Sequence, residues 1–342
     1  MRAVFSSDKP GKVVELINVE KPTKIGDDEV LVKTLYCSLC HSDLSSAKGE
    51  WGSKVYRSVG HESVGEVVEV GAKVSDLKVG DYVAGPAGLR GACGECKYCK
   101  RGEEVFCDEV IFTGARGYGT MQDYTVEKAK FSIKLPKDVN LPQACIITCA
   151  GITVYKGFKL ANPIAGDTVA IFGIGGLGNV AIEYAKNVFG MKVIAVGSNE
   201  GSLQIAKEKG ADLVINWKTQ DVDKMIQDFT NNQGLDLAMV TSSTLPQFEM
   251  AYRNLGKIGK LCSIGLPVGK LPVDILDVTL GQKTVYGSLI GTRQDLIESL
   301  QALYDKKVNP DLRVEPIEKA EEFFELMDQN KLHQRIVFDL TK

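Results

Sequence analysis

In the first half of the chain, short runs of apolar and β-branched residues alternate with polar turns. Examples are "EVLVKTLYCSLC" (29–40), "ESVGEVVEVG" (62–71) and "GDYVAGPAG" (80–88), each bounded by turn-forming residues. Valine-rich runs of this length between Gly, Asp and Pro are typical of β-strands. The pattern therefore predicts a β-rich first half.

From about Gly166 the pattern changes to strands that alternate with amphipathic helices. Such alternation predicts a parallel sheet with helices on both of its faces. Two further strand-like runs and a final helix follow. The predicted strands are 167–173, 192–197, 211–216, 235–243, 259–265 and 283–291, and the predicted helices are 177–190, 200–210, 222–234 and 293–307.

Length and composition narrow the class of protein. A chain of 342 residues exceeds one small core, so we expect two domains. Hydrophobic residues make up 44% and charged residues 25%, and the net charge of −3 gives no basic field for nucleic acid or an anionic membrane. We see no apolar run as long as a membrane span and no signal peptide, and we expect a cytoplasmic protein.

The nine cysteines point to metal rather than to disulfides, because their number is odd and no signal peptide precedes them. Cys93, Cys96, Cys99 and Cys107 follow the spacing C-x2-C-x2-C-x7-C. Four thiolates complete a tetrahedral shell around Zn²⁺, which makes such a site structural. An iron–sulfur cluster or a loop of unrelated cysteines is the alternative, and the spacing favours zinc.

A glycine-rich turn lies between the first predicted strand and helix of the second half. It contains Gly173, Gly175, Gly176 and Gly178, with Leu177 between the last two. Glycines in this context let the backbone approach a pyrophosphate at the positive end of the helix. The turn therefore predicts dinucleotide binding, and a glycine-rich turn without a ligand is the alternative.

Cys40, His61 and Cys149 together would form a Cys2His shell, one of the arrangements that leave a zinc position open for catalysis. Each residue also has a simpler interpretation, as a buried cysteine or a histidine in a turn. No spacing rule links the three positions, so the residues alone leave both interpretations open.

The combination of motifs resembles one family along the whole chain, the zinc-dependent medium-chain alcohol dehydrogenases, and is most similar to their yeast and bacterial tetrameric branch. The motifs occur in the family's order, namely "CHSD", "GHESVGEVVEVG", "VGDYV", the four-cysteine segment, "CAGITVYKG", "GIGGLG", "GSLIGTRQDL" and "HQRIVF". The resemblance implies an α/β protein. A GroES-like β-rich catalytic domain (1–150 with 288–342) would contain an inserted Rossmann domain with a doubly wound parallel sheet (151–287).

The resemblance also implies an activity, reversible hydride transfer between a primary or secondary alcohol and a nicotinamide cofactor, yielding an aldehyde or ketone. It implies one catalytic and one structural zinc, a small-molecule substrate and a homotetramer. Two alternatives stay open. The first is a polyol, threonine or other secondary-alcohol dehydrogenase with the same fold. The second is a binding relative that has lost activity.

By position, the resemblance implies that Cys40, His61 and Cys149 hold the catalytic zinc and that Glu62 approaches the metal during ligand exchange. Asp43 would orient His61 by accepting its other N–H. With zinc polarising the substrate oxygen, hydride would pass to the nicotinamide.

Further implied roles concern the proton and the cofactor. Ser42 would take the proton of the substrate alcohol. His41 and Arg335 would hold the cofactor pyrophosphate, Thr153 would lie near the nicotinamide, and Trp51 would line the substrate pocket.

The residue three after the relay hydroxyl departs from the pattern of many relatives. They have a histidine there, whereas this chain has Ser45. A serine passes a proton but does not hold one as imidazole does. We therefore expect the proton path to end in water or in another group.

The end of the second strand of the Rossmann domain bears on which nicotinamide is used. NAD-selective domains place an Asp or Glu there, whereas this chain has Gly197, followed by Ser198 and Asn199. Glycine leaves room for a 2′-phosphate, and the two polar residues can donate to it. Neither is the arginine that usually attracts the phosphate, and Lys207 is distant in sequence. The sequence favours NADP modestly over NAD.

Overall fold

A computed structural model describes residues 1–50, 57–85, 88–113, 118–332 and 334–342. Its contacts define two compact units. The first unit contains Met1–Ile152, Ile290–Leu300 and Asp311–Lys342, and the second contains Thr153–Leu289 and Gln301–Pro310. These bounds lie close to the predicted domains, 1–150 with 288–342 and 151–287, except that 301–310 belongs to the second unit.

Strands dominate the first half of the chain and alternate with helices in the second. The strands are β1 (Arg2–Ser6), β2 (Val14–Asn18), β3 (Glu29–Ser38), β4 (Glu62–Val70), β5 (Tyr82–Ala84), β6 (Leu89–Gly91), β7 (Ile111–Phe112), β8 (Tyr124–Lys128), β9 (Ile133–Leu135), β10 (Thr168–Phe172), β11 (Lys192–Gly197), β12 (Leu213–Asn216), β13 (Leu235–Val240), β14 (Leu255–Ser263), β15 (Thr284–Gly287), β16 (Arg313–Pro316) and β17 (Ile336–Asp339).

The helices vary in length and type. The α-helices are α1 (His41–Lys48), α2 (Leu141–Ile146), α3 (Ile152–Ala161), α4 (Gly176–Glu183), α5 (Glu200–Glu208), α6 (Val222–Phe229), α7 (Leu245–Arg253), α8 (Ile275–Gly281), α9 (Arg293–Tyr304) and α10 (Ala320–Asp328). Turns of π-helix occupy Ile147–Gly151 and Tyr184–Val188, and turns of 3₁₀-helix occupy Cys99–Arg101, Glu104–Phe106, Ala129–Phe131 and Ile317–Lys319.

The first unit is built on a mainly antiparallel sheet in the order β16-β17-β3-β4-β5-β9, with β8 also paired to β3. Val30 and Val32 of β3 pack with Val67 of β4 and Val83 of β5 in one buried cluster. Burying such valine-rich faces is the main source of stability for a sheet of this kind. The β-rich first half is confirmed.

The second unit contains a sheet in the order β12-β11-β10-β13-β14-β15, and every pair of neighbouring strands in it is parallel. All five residues of the central strand β10 are buried. A strand covered on both faces is continuously apolar, which is why the run 167–173 lacks polar alternation. The order is that of a doubly wound Rossmann sheet, so this prediction is also confirmed.

One helical stretch differs from the expectation that no apolar run reaches the length of a membrane span. Leu141–Ala161 is a continuous helical stretch of 21 residues, long and apolar enough to cross a membrane by length and composition. The expectation was wrong for this stretch. Of its most apolar window, 83% is buried inside the protein, as in a core helix.

Candidate active site

Cys40 lies where β3 leads into α1, and Asp43 fixes its backbone. Cys40 has extended backbone angles and takes the position just before the first helical residue. The backbone N–H of Asp43 donates to the Cys40 carbonyl at 3.0 Å, and the N–H of Cys40 donates to Asp43 Oδ2 at 3.1 Å. The start of α1 therefore holds the Cys40 backbone in one position.

The same carboxylate also fixes His61. Asp43 Oδ1 lies 2.7 Å from His61 Nδ1 and accepts the backbone N–H of Gly60 at 3.1 Å. Asp43 is only 2% exposed, so these donors take the place of the water that a buried carboxylate lacks. With Nδ1 bonded to a carboxylate, His61 has Nε2 left for a metal.

Cys149 completes the cluster from a π-helical turn between α2 and α3. Single π turns inside helices occur frequently at functional sites. The potential ligand atoms of Cys40, His61, Glu62 and Cys149 all lie within 4.8 Å of one another. Tetrahedral zinc with bonds of about 2.0 to 2.3 Å separates its ligand atoms by roughly 3.3 to 3.8 Å. The cluster, with its atoms within 4.8 Å, fits this ion.

The cluster favours a thiolate. The Cys149 and His61 side chains hold the pKa of the Cys40 thiol well below its usual value, although burial opposes them. Burial alone would lower the pKa of His61, but the Asp43 carboxylate and the Cys40 side chain raise it well above the usual value. Burial raises the pKa of Glu62 to about 7, and the positive charge of Arg335 opposes that rise.

Arg335 lies on Glu62, a contact that the sequence did not predict. Its Nη2 is 2.6 Å from both carboxylate oxygens of Glu62, and its Nη1 donates to the Leu39 carbonyl at 3.4 Å. The Glu62 side chain is fully buried, and the Arg335 side chain is only 9% exposed. The positive charge of Arg335 therefore offsets the negative charge of Glu62. The Nε–H group of the arginine is buried and has no acceptor among the described residues.

The four remaining candidate ligands form a second cluster in the first unit. The sulfurs of Cys93, Cys96, Cys99 and Cys107 all lie within 4.8 Å of one another. Cys93 Sγ is 4.0 Å from Cys99 Sγ and 3.5 Å from Cys107 Sγ. A tetrahedral zinc with bonds of 2.3 Å would separate its sulfurs by about 3.8 Å. The arrangement fits a four-thiolate zinc site.

Backbone donors prepare this second cluster for negative charge. Glu95 and Cys96 donate their N–H groups to Cys93 Sγ at 3.5 and 3.3 Å. These two bonds and the Cys107 thiol lower the pKa of Cys93 to about 7. Hydrogen bonds that stabilise a thiolate also favour metal binding, because the thiolate is the ligand form.

In the second unit, the glycine-rich turn joins β10 to α4. Gly173 has a φ of +100°, which favours glycine. A Cβ on Gly178 would lie 2.1 Å from the Gly173 carbonyl oxygen, so the helix packs directly on the turn. A Cβ on Gly175 would meet nothing within 4 Å. That open space before the first residue of α4 fits a phosphate at the helix N-terminus.

Side chains pack against part of the backbone at the end of β11. A Cβ on Gly197 would lie 3.0 Å from Leu203 Cδ2 and 3.3 Å from Ile174, so this position faces packed side chains. Ser198 and Asn199 are exposed beside it. Asn199 Oδ1 accepts the N–H of Ser202 at 2.9 Å and caps α5, which leaves its amide N–H groups as donors.

Comparisons with known proteins identify the family to which this chain belongs. Residues 26–137 match the alcohol dehydrogenase GroES-like domain, and residues 176–305 match the zinc-binding dehydrogenase family. The chain is 38% identical over 328 residues to an alcohol dehydrogenase of Geobacillus stearothermophilus, covering 95% of this chain and 96% of the relative. This chain belongs to the zinc-dependent medium-chain alcohol dehydrogenases.

Solved structures agree with membership of this alcohol dehydrogenase family. CAD from Helicobacter pylori, complexed with NADP(H), has a TM-score of 0.86 at 28% identity and covers 100% of this chain and 97% of its own. Acetophenone reductase from Geotrichum candidum, in complex with NAD, has a TM-score of 0.86 at 27% identity, with 98% and 96% covered. The chain is therefore an oxidoreductase that acts on CH–OH groups with zinc and a nicotinamide cofactor.

Other residues assigned by resemblance to this dehydrogenase family lie as follows. Ser42 and Ser45 are half-buried and three residues apart on α1, so they lie on neighbouring turns of one helix face. His41, the first residue of α1, is exposed, and Thr153 is buried in α3. Trp51, expected to line the substrate pocket, lies outside the described residues.

Proposed function

We propose that this alcohol dehydrogenase interconverts a primary or secondary alcohol and its aldehyde or ketone at the Cys40–His61–Cys149 cluster. The observation that carries the proposal is the convergence of these ligand atoms and Glu62 within 4.8 Å, with His61 oriented by buried Asp43. Three elements that are distant in sequence supply the ligands. A structural role alone would not require a carboxylate and an arginine beside them.

The chain's own residues prepare the site for the reaction. When bound, zinc would supply a Lewis acid for the substrate oxygen, and the nicotinamide would accept or donate hydride. Asp43 keeps His61 in the tautomer with Nε2 free and anchors Cys40 through its N–H. Arg335 binds both carboxylate oxygens of Glu62, so Cys40, His61 and Cys149 would hold the zinc while Glu62 is paired with the arginine.

Ser42 carries the proton in this proposal. It lies two residues after Cys40 in the first turn of α1. During oxidation Ser42 Oγ accepts the proton of the substrate hydroxyl and releases its own proton toward Ser45, and in the reverse direction both transfers run backwards. Ser45, half-buried on the next turn, passes the proton to water, because this serine cannot hold it as a histidine would.

The second metal site is proposed as structural zinc held by Cys93, Cys96, Cys99 and Cys107. Support comes from the spacing of the four sulfurs and from the N–H groups that donate to them. Four thiolates leave no position for a substrate, so this zinc stabilises its loop.

NADP is proposed as the preferred cofactor, with a modest margin over NAD. Gly197 places no carboxylate at the end of β11, and exposed Ser198 and Asn199 offer donors. His41 and the unpartnered Nε of Arg335 are proposed contacts of the pyrophosphate, and Thr153 is proposed to lie near the nicotinamide. Of the two solved relatives, one is in complex with NAD and the other with NADP(H), so similarity to them does not favour either cofactor.

The homotetramer and the cytoplasmic location also remain proposals. The edge strand β15 and helix α8 of the second unit expose apolar side chains, with Ile275 72% and Leu280 73% exposed. Such a face is suited to burial against another copy of the chain. None of the nine cysteines, all of which lie within the described residues, is joined in a disulfide, which suits a reducing compartment.

The test of the catalytic cluster compares two buried cysteines on one helical stretch. Cys149→Ser removes a proposed zinc ligand, whereas Cys145→Ser alters a thiol whose Sγ donates to the Glu62 carbonyl at 3.2 Å. We expect Cys149→Ser to lose one zinc per chain and at least about 10³-fold of kcat, because the Lewis acid is lost. Cys145→Ser should keep both ions. Full zinc content and activity in Cys149→Ser would refute the assignment.

A further inference from the structure

The cation that a 2′-phosphate needs is absent from the end of β11 itself. Ser198 and Asn199 are neutral, and Lys207 lies in the last turn of α5. Lys207 is seven positions after Glu200 at the start of that helix, a rise of about 10 Å. Lys207 therefore lies about two turns from the start of α5, and we expect the charge on another element.

The neighbouring strand supplies a candidate. β12 runs parallel to β11 with Gly197 opposite Asn216, and the N–H of Trp217 donates to the Gly197 carbonyl at 3.0 Å. Neighbouring strands lie about 4.8 Å apart, so the chain after Asn216 continues directly beside Ser198. Lys218 is the second residue of that continuation and is exposed.

An ordered turn holds Lys218 at this edge of the sheet. Its N–H donates to Asn216 Oδ1 at 3.1 Å. The N–H of Gln220 donates to the Asn216 carbonyl at 2.9 Å, and Gln220 Oε1 accepts the N–H of Asn216 at 2.7 Å. Three local bonds thus fix this turn, one of them through the Lys218 N–H, and none involves the lysine side chain.

The Lys218 ammonium is available for a ligand. It takes part in none of the ion pairs found within residues 118–332, which the structure describes without a gap. Glu200 is the acidic side chain that faces this corner from α5, and Asn216 Nδ2 donates to its Oε1. The amide of Asn216 therefore partly satisfies the carboxylate that would otherwise compete for Lys218.

We propose that Lys218 is a specificity-determining residue that binds the 2′-phosphate of NADP, together with the donors of Ser198 and Asn199. This inference rests on the proposed preference for NADP, and it identifies Lys218 as the positive charge that attracts the 2′-phosphate. A lysine is a compact point charge suited to phosphate, and its interaction adds to that of neutral donors. Lys218 contributes nothing to NAD, whose ribose carries no charge at that position.

The test measures binding rather than activity. Calorimetric titration of the zinc-loaded enzyme with 2′,5′-ADP and with 5′-AMP isolates the contribution of the 2′-phosphate. We expect Lys218→Ala to lower the ratio of the two affinities about fivefold, with 5′-AMP affinity unchanged, since one exposed charge-assisted bond is lost. Lys218→Glu should lower the ratio further through repulsion.

Lys192→Ala is the matched control. Lys192 is an exposed lysine at the opposite end of β11, so its removal changes the net charge equally without touching the proposed site. It should leave the affinity ratio within twofold of wild type. If Lys218→Ala and Lys192→Ala behave alike, Lys218 does not bind the phosphate, even where wild type favours 2′,5′-ADP. If wild type itself binds 5′-AMP as tightly as 2′,5′-ADP, the NADP preference is wrong and the role of Lys218 falls with it.

Discussion

Asp43 connects both halves of the proposed metal site, since its two carboxylate oxygens accept N–H groups from Cys40, Gly60 and His61. Three donors on one buried carboxylate leave little freedom for the imidazole ring. Losing such a supporting group typically costs a metal site about 10- to 100-fold in affinity or activity. The resemblance indicated Asp43, and the structure adds that it also positions the Cys40 backbone.

Single residues could be identified from the sequence only where a motif surrounded them. The spacing of Cys93 to Cys107 sufficed for one cluster, while Cys40, His61 and Cys149 needed the family resemblance. The pair Arg335–Glu62 was missed, because 273 residues separate its members and no local pattern links them. Lys218 was missed for the same reason, since only the register of β11 and β12 brings it beside Ser198.

The proton relay is tested at Ser42. Ser42→Ala should lower kcat for alcohol oxidation about 10²-fold, because a positioned proton acceptor is worth that much. The zinc content, measured by elemental analysis, should not change, since Ser42 is not a ligand. Ser42→Thr, which restores a hydroxyl, should recover most of the rate. Equal activity of the Ala and Thr variants would show that the hydroxyl carries no proton.

At the scale of elements, predictions succeeded where the apolar pattern was long and uninterrupted. The fully buried strand β10 has an uninterrupted apolar run, so it was easily predicted. Helix α7 was missed, although its residues Phe248, Ala251 and Tyr252 are buried, because "LPQFEMAYR" is short and contains Pro246. β14 begins at Leu255, four residues before the predicted run at 259. Ile258 is exposed and the pairing with β13 shifts register there, so this part of the strand lacks the regular apolar pattern.

The turn between β10 and α4 allows two glycines to be compared. Gly178→Ala places a methyl 2.1 Å from a backbone oxygen that cannot move independently. We expect a loss of roughly 1–3 kcal/mol in stability, as for other overpacked sites, visible as a lower Tm. Gly175→Ala meets no protein atom, so Tm should stay within a few degrees of wild type.

Cofactor affinity should distinguish Gly175→Ala from Gly178→Ala in the opposite way: Gly175→Ala, which keeps its Tm, should lose affinity. The methyl of Gly175→Ala occupies the space where the pyrophosphate approaches, so calorimetry should show nicotinamide binding about tenfold weaker. Unchanged affinity in Gly175→Ala would place the pyrophosphate elsewhere. Unchanged Tm in Gly178→Ala would contradict the close packing of α4 on the turn.

At the scale of the whole molecule, the two proposed zinc sites differ in how the chain builds them. The four-cysteine cluster comes from one segment, residues 93–107, and its sulfurs accept backbone N–H groups. The catalytic cluster gathers Cys40, His61 and Cys149 from separate elements. A Cys2His shell leaves the fourth position of a tetrahedral zinc open. A closed shell exchanges its ion slowly, whereas an open position admits a competing chelator.

Mild chelation should therefore remove one zinc and the activity while the fold persists. We expect zinc content, measured by elemental analysis, to fall from two ions per chain to one in step with kcat. Tm should change little at this stage, because the remaining ion stabilises the 93–107 segment. Stronger chelation should release the second ion and lower Tm, since four-thiolate zinc contributes directly to folding. Fully active enzyme with one zinc per chain, or loss of both ions at one rate together with the fold, would contradict the two-site assignment.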